Sequence, residues 1–203
     1  MDRLSSLKAA LGLLALGLGG CGEPSATVVP EGTREAPPSR VEAVGARQED
    51  PAVRFCDVSA PLGEGRPLVL PLLEGAPAPT TGWRWINVWA TWCAPCVEEM
   101  PRLVEWGSRL RREGAPVSTF FVSVDATGGE VEAFRQAHPD APPTARLLGD
   151  GALPAMLSAL GLDTGATIPI HALVDPEGRL RCVRTGAVTE RDYPTVRAIL
   201  RGR

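Results

Sequence analysis

Asn87-Val88-Trp89-Ala90-Thr91-Trp92-Cys93-Ala94-Pro95-Cys96-Val97-Glu98-Glu99-Met100-Pro101 carries the chain from an apolar run into an amphipathic one, with two cysteines at the join. Arg84 to Ala90 is mostly apolar on both alternating faces and reads as a buried strand. Val97, Met100, Leu103, Val104 and Leu110 then recur at helical spacing over about five turns. Cys93 therefore falls where the helix starts, beside unpaired amide donors and the positive end of the macrodipole, both of which favour a thiolate. The pattern predicts Cys93 as an exposed, easily ionised nucleophile that attacks a partner's disulfide. Cys96, inside the helix, is predicted as the less exposed resolver that displaces the product. Pro95 stiffens the ring such a pair would close and suits the first helical turn.

Working outward, Thr119 to Val124 repeats the buried-strand pattern, and Gly128 to His138 and Ala152 to Leu160 read as helices. Thr167 to Val174 and Leu180 to Thr185 read as strands flanking the turn Asp175-Pro176-Glu177-Gly178. Thr189 to Arg201 is predicted as a terminal helix with Pro194 in its first turn. Upstream, Val53 to Val58 and Leu68 to Leu70 alternate as short edge strands do, and Pro67 and Pro71 confine the second to the periphery. This order predicts an α/β domain: a central mixed β-sheet with helices on both faces, preceded by a short N-terminal β extension.

The fifteen-residue run resembles the active-site segment of the thioredoxin superfamily, and within it the TlpA-like, membrane-tethered thiol-disulfide oxidoreductases. The resemblance extends over about residues 53–203, through Phe121-Val122-Ser123-Val124-Asp125 and Ile168-Pro169-Ile170-His171-Ala172-Leu173-Val174-Asp175-Pro176-Glu177-Gly178-Arg179. It implies a thioredoxin-like fold and disulfide reductase activity on exported proteins, with electrons drawn from a membrane thiol reductant. It also implies that Pro169 is the cis-proline beside the active-site disulfide, and that the backbone of Ile168, with Trp92, docks substrate. In thioredoxin itself a buried Asp stands where this chain has Asn87. Glu99 is the carried-over candidate for acid-base assistance to Cys96, against the plainer reading of a solvated helix charge. Members of the TlpA group often carry threonines after the proline, where Ile170 and His171 stand here.

The chain has 203 residues, 44% hydrophobic and 22% charged, with a formal net charge of −3, so no basic surface for nucleic acid is implied. Its 20 prolines and 22 glycines exceed average usage, and many of the prolines fall early. Arg3 and Lys8 precede an uncharged stretch from Ala9 to Gly20, the layout of a secretory signal over residues 1–20. Leu18-Gly19-Gly20-Cys21 resembles a bacterial lipobox, which implies lipid attachment at Cys21 and a membrane anchor. Residues 21–52, with Pro24, Pro30, Pro37, Pro38 and Pro51 and no aromatic residue, read as a spacer, leaving 53–203 as one domain in the periplasm.

Five cysteines, less the anchor and the redox pair, leave Cys56 and Cys182. Parity in an oxidising compartment points to a structural disulfide between them, the alternative being two unrelated buried thiols. A zinc site would need a second cysteine pair or paired histidines, and only His138 and His171 are present. A thioredoxin-like copper carrier or tethered adaptor, with Cys93, Cys96 and His171 on Cu(I), is the alternative function, although His171 also reads as an ordinary strand residue. No phosphate cradle or flavin fingerprint occurs, so no metal or organic cofactor is expected.

Overall fold

The computed structural model describes residues 49–202. In chain order these form α1 (Pro51–Phe55), β1 (Val58–Ser59), β2 (Leu73–Gly75), β3 (Trp83–Trp89), α2 (Ala94–Arg112), β4 (Val117–Ser123), α3 (Gly128–Ala137), β5 (Thr144–Leu147), α4 (Ala152–Leu160), β6 (Ile170–Val174), β7 (Leu180–Thr185), a 3-10 turn (Glu190–Asp192) and α5 (Tyr193–Leu200). The strands make one sheet in the order β1-β7-β6-β3-β4-β5-β2. β3 lies parallel to β4, and β4 to β5, because α2 and α3 carry the chain back between them. β6, β7 and β1 continue the other side antiparallel, and β2 closes the far edge antiparallel to β5.

Strand alternation sorts the core into two layers. Trp85 and Trp89 of β3, Phe121 of β4 and Leu173 of β6 pack with Leu103, Trp106 and Leu110 of α2 and with Val196, Ile199 and Leu200 of α5. Ile86 and Val88, Phe120 and Val122, and Ile170, Ala172 and Val174 turn to the other face, under Met156, Leu157 and Leu160 of α4. Asn87 and His171 pair in register on β3 and β6 and share the parity of Trp85 and Leu173, so both point to the α2 side. Gly107 lets α2 lie close on that face: a Cβ there would stand 2.9 Å from Thr119 Cγ2.

Two upstream segments depart from the sequence reading. Val53 to Val58, expected as a strand, is mostly α1, and strand structure is confined to Val58–Ser59. Asp50 caps that helix by accepting the Ala52 N–H at 2.9 Å, Pro51 opens it, and Ala52 is wholly buried. A strong start signal thus overrides a brief alternation. Ordered contacts thus include Asp50, inside the stretch read as spacer.

Leu68 to Leu70 forms no strand. Pro67 makes a single bridge to Arg179, and prolines on both sides deny the segment ladder donors. The chain instead joins the sheet at β2, on the opposite edge, against β5; neither strand was anticipated. At the C-terminus the expected helix at 189–201 starts later, after the 3-10 turn. The expected signal at 1–20, the lipid site Cys21 and the spacer up to residue 48 lie outside the described residues.

Candidate active site

β3 brings the chain to the site and α2 carries it away. The loop between them is pinned by Asp125, just past β4, which the parallel register Trp89↔Ser123 brings level with it. The Asp125 carboxylate is 2% exposed and accepts the Thr91 N–H at 3.1 Å and the Thr91 hydroxyl at 2.7 Å, together with the Ser123 hydroxyl. A buried carboxylate is stable only with donors of this kind, and here they hold the loop in place.

Cys93 is the N-cap residue of α2, in extended conformation (φ −89°, ψ 93°), and its carbonyl accepts the Val97 N–H at 3.1 Å. Its side chain makes no cap hydrogen bond. Negative charge forming on the sulfur would therefore meet the helix's positive end. Cys93 and Cys96 are joined by a disulfide, with Cα atoms 5.3 Å apart. Cys96 is fully buried and Cys93 is 5% exposed, so the nucleophile is the more open of the two but not the exposed sulfur expected. The bond to Cys96, on the inner face of α2, draws Cys93 into the same cluster as Trp89 and Met100. The side chain that projects is Trp92, 68% exposed. The Ile168-Pro169 peptide bond is cis. Ile168 packs against the cluster holding both cysteines, and Pro169, buried, leads into β6.

Glu99 is not a solvated helix charge. It is 1% exposed, one turn beyond Cys96 on the inner face of α2. Its Oε1 accepts from Asn87 Nδ2 at 3.1 Å and its Oε2 accepts the Val188 N–H at 2.8 Å. His171, 3% exposed, places Nε2 3.3 Å from the same Oε1, without the alignment of a good hydrogen bond. Its Nδ1 lies 3.2 Å from Trp85 Nε1 and 3.4 Å from Asn87 Nδ2. Both ring nitrogens therefore face Trp85, Asn87 and Glu99. Neither the strand periodicity nor the motif signalled this contact, because it depends on a residue of α2 meeting one of β6.

Cys56, just past α1, is bonded to Cys182 on β7 with Cα atoms 5.4 Å apart, within the ~7 Å limit for a bridge. Surface grooves of about 780, 510 and 440 Å³ are lined by neither active-site cysteine.

A β3-α2-β4 crossover beside antiparallel β6 and β7, with the cysteine pair opening α2, is the arrangement of the thioredoxin fold. No family model matches the chain. Over 128 residues it is 30% identical to the thiol-disulfide oxidoreductase ResA of Geobacillus thermodenitrificans (strain NG80-2), covering 61% of this chain and 68% of that protein. Over 110 residues it is 24% identical to the thioredoxin-like protein YneN of Bacillus subtilis (strain 168), covering 53% of this chain and 58% of that one. The crystal structure of a DsbF homologue from Corynebacterium diphtheriae shares the fold, with a TM-score of 0.52 at 22% identity over 68% of this chain and 89% of its own. The chain belongs to the thioredoxin-like thiol-disulfide oxidoreductases. It spans little more than half the length of YneN and about two thirds of ResA.

Proposed function

We propose that this protein reduces disulfides in exported proteins through Cys93 and Cys96, and that lipid on Cys21 tethers it to the membrane facing the periplasm. The observation that carries the catalytic reading is the Cys93–Cys96 pair at the start of α2, with the exposed Trp92 just before it. The cysteines line none of the grooves described above, whereas small-molecule sites are typically enclosed clefts. Cys93, nearly buried beside the projecting Trp92 and outside those grooves, suits a protein chain as substrate.

In the reduced form the Cys93 thiolate attacks one sulfur of the substrate disulfide. A mixed disulfide forms, and the substrate's other sulfur leaves as a thiolate and takes up a proton. Glu99 then accepts the proton of the Cys96 thiol, and the Cys96 thiolate attacks Cys93 Sγ. The bond to substrate breaks, the second substrate sulfur leaves and is protonated, and the enzyme disulfide is formed. Two enzyme thiols are oxidised for each substrate disulfide reduced, and a membrane dithiol donor restores them. Trp92 and the backbone of Ile168, next to Pro169, form the docking surface.

Insulin reduction tests the chemistry. Cys93→Ser is expected to abolish turnover, and Cys96→Ser to stop at a mixed disulfide whose captured proteins mass spectrometry identifies. Unchanged turnover in both variants would remove the assignment. For the tether, metabolic labelling with a palmitate analogue is expected to mark the wild-type chain and not Cys21→Ala; equal labelling of the two would remove the lipid site.

A further inference from the structure

Ile168, just before β6, packs against the cluster that holds both cysteines, and His171 on β6 meets Glu99 of α2, one turn beyond Cys96. The first meeting belongs to the exchange itself. The second, His171 against Glu99, is fixed by a chain of donors whose direction can be worked out. The Trp85 Nε1–H can only donate, so the His171 Nδ1 it meets at 3.2 Å must accept. Asn87 offers its amide nitrogen to Glu99 Oε1 and lies 3.4 Å from the same Nδ1. The opposite amide orientation would set its oxygen against a carboxylate. With Nδ1 accepting, the proton of the neutral ring sits on Nε2, which faces Glu99 Oε1 at 3.3 Å. A doubly protonated ring would place an N–H against the Trp85 donor.

We propose that His171 is a positioning residue for the resolving step: an imidazole held as the Nε2–H tautomer, whose N–H faces Glu99 Oε1 and holds that carboxylate in place one helical turn from Cys96. The inference rests on the proposed exchange reaction and adds a residue to it. Three N–H groups face the Glu99 carboxylate, from Asn87, Val188 and His171. Taking the Cys96 proton neutralises it, and returning that proton to the departing substrate thiolate resets it. Cys93 does not need this relay, because its charge is stabilised by the start of α2. His171 should therefore act on the second sulfur exchange and leave the first alone.

The test uses the reduced full-length chain with oxidised glutathione as the probe, acid quenching and mass spectrometry. Glutathione on Cys93 reports the first exchange, and its release reports the second. His171→Leu is expected to slow release about tenfold, so that the adduct accumulates, and to leave adduct formation within about twofold. His171→Gln, which keeps an N–H donor, is expected to recover most of the release rate. Glu99→Gln is expected to slow release as well, and the double variant to be no slower than Glu99→Gln alone. Nitrogen NMR of the wild-type His171 ring, which requires no variant, is expected to show the Nε2–H tautomer. An Nδ1–H ring, release at the wild-type rate in His171→Leu, equal slowing of both steps, or multiplying losses in the double variant would each overturn the proposal. If the wild-type chain formed no adduct at all, the exchange reading itself would fail instead.

Discussion

Arg181 on β7 shows how one residue ties the segment before α1 to the sheet. Its side chain is 4% exposed, and the guanidinium binds the Asp50 carboxylate (Nη2 to Oδ2 2.6 Å) and the Ala60 carbonyl. Burial alone would raise the Asp50 carboxyl, but the Ala52 N–H and Arg181 outweigh it and hold it below the usual carboxylate value. A carboxyl lowered in the folded state contributes stability above its unfolded value, near pH 4, and loses it as pH falls through the native one. Asp50→Asn is therefore expected to lower stability at neutral pH by roughly 1–2 kcal/mol, a figure discounted because Asp50 is one-third exposed. Urea unfolding at about pH 7 and pH 3 checks this: the gap between wild type and variant should shrink at the lower pH. A constant gap would mean that the charge contributes nothing. At this scale the cysteine pair was legible because its chemistry is local. Asp50 was not, since a capping aspartate looks like any acidic residue of a spacer until its arginine partner, far along the chain, is known.

Among the elements, α2 governs the site. Its register on β4 sets where Cys93 and Cys96 emerge, and that register depends on Gly107 lying against Thr119. In an exposed helix Gly→Ala gains up to ~1 kcal/mol. Here the added methyl would collide with Thr119, and Gly107→Ala is expected to cost about 1–3 kcal/mol instead. The same shift should slow insulin reduction, because a small displacement of reacting groups is costly. A thermal melt and a turnover assay on one sample check both; a stabilised, fully active variant would show that α2 does not depend on this contact. Elements whose apolar pattern lasts a full helix or a buried strand, such as β3, α2, α4 and β7, were readable from periodicity. β2 and β5 were not: Leu73–Gly75 and Thr144–Leu147 are short, half polar and next to prolines, and only their pairing makes them strands. α1 was missed because five residues give too few turns for a period to show.

Over the whole domain the Cys56–Cys182 bond joins positions 126 apart in sequence and closes a loop around nearly the entire sheet. Loop closure of that size is worth about 2–4 kcal/mol in practice, by restricting the unfolded chain. It also holds β1 and the end of α1 against β7, on the opposite edge of the sheet from β2 and β5. The two disulfides thus have separate duties, one closing the scaffold and the other opening α2. For the exchange proposed above, the small opening over Cys93 has a further consequence. A cysteine that shows only a sliver of its surface can be approached only along a narrow line. Rigid globules, whose own bridges lie below a curved outer face, cannot bring their sulfurs onto that line. A loose, bending strand can, so the exchange proposed above would favour slack or unfinished chains over mature bridges.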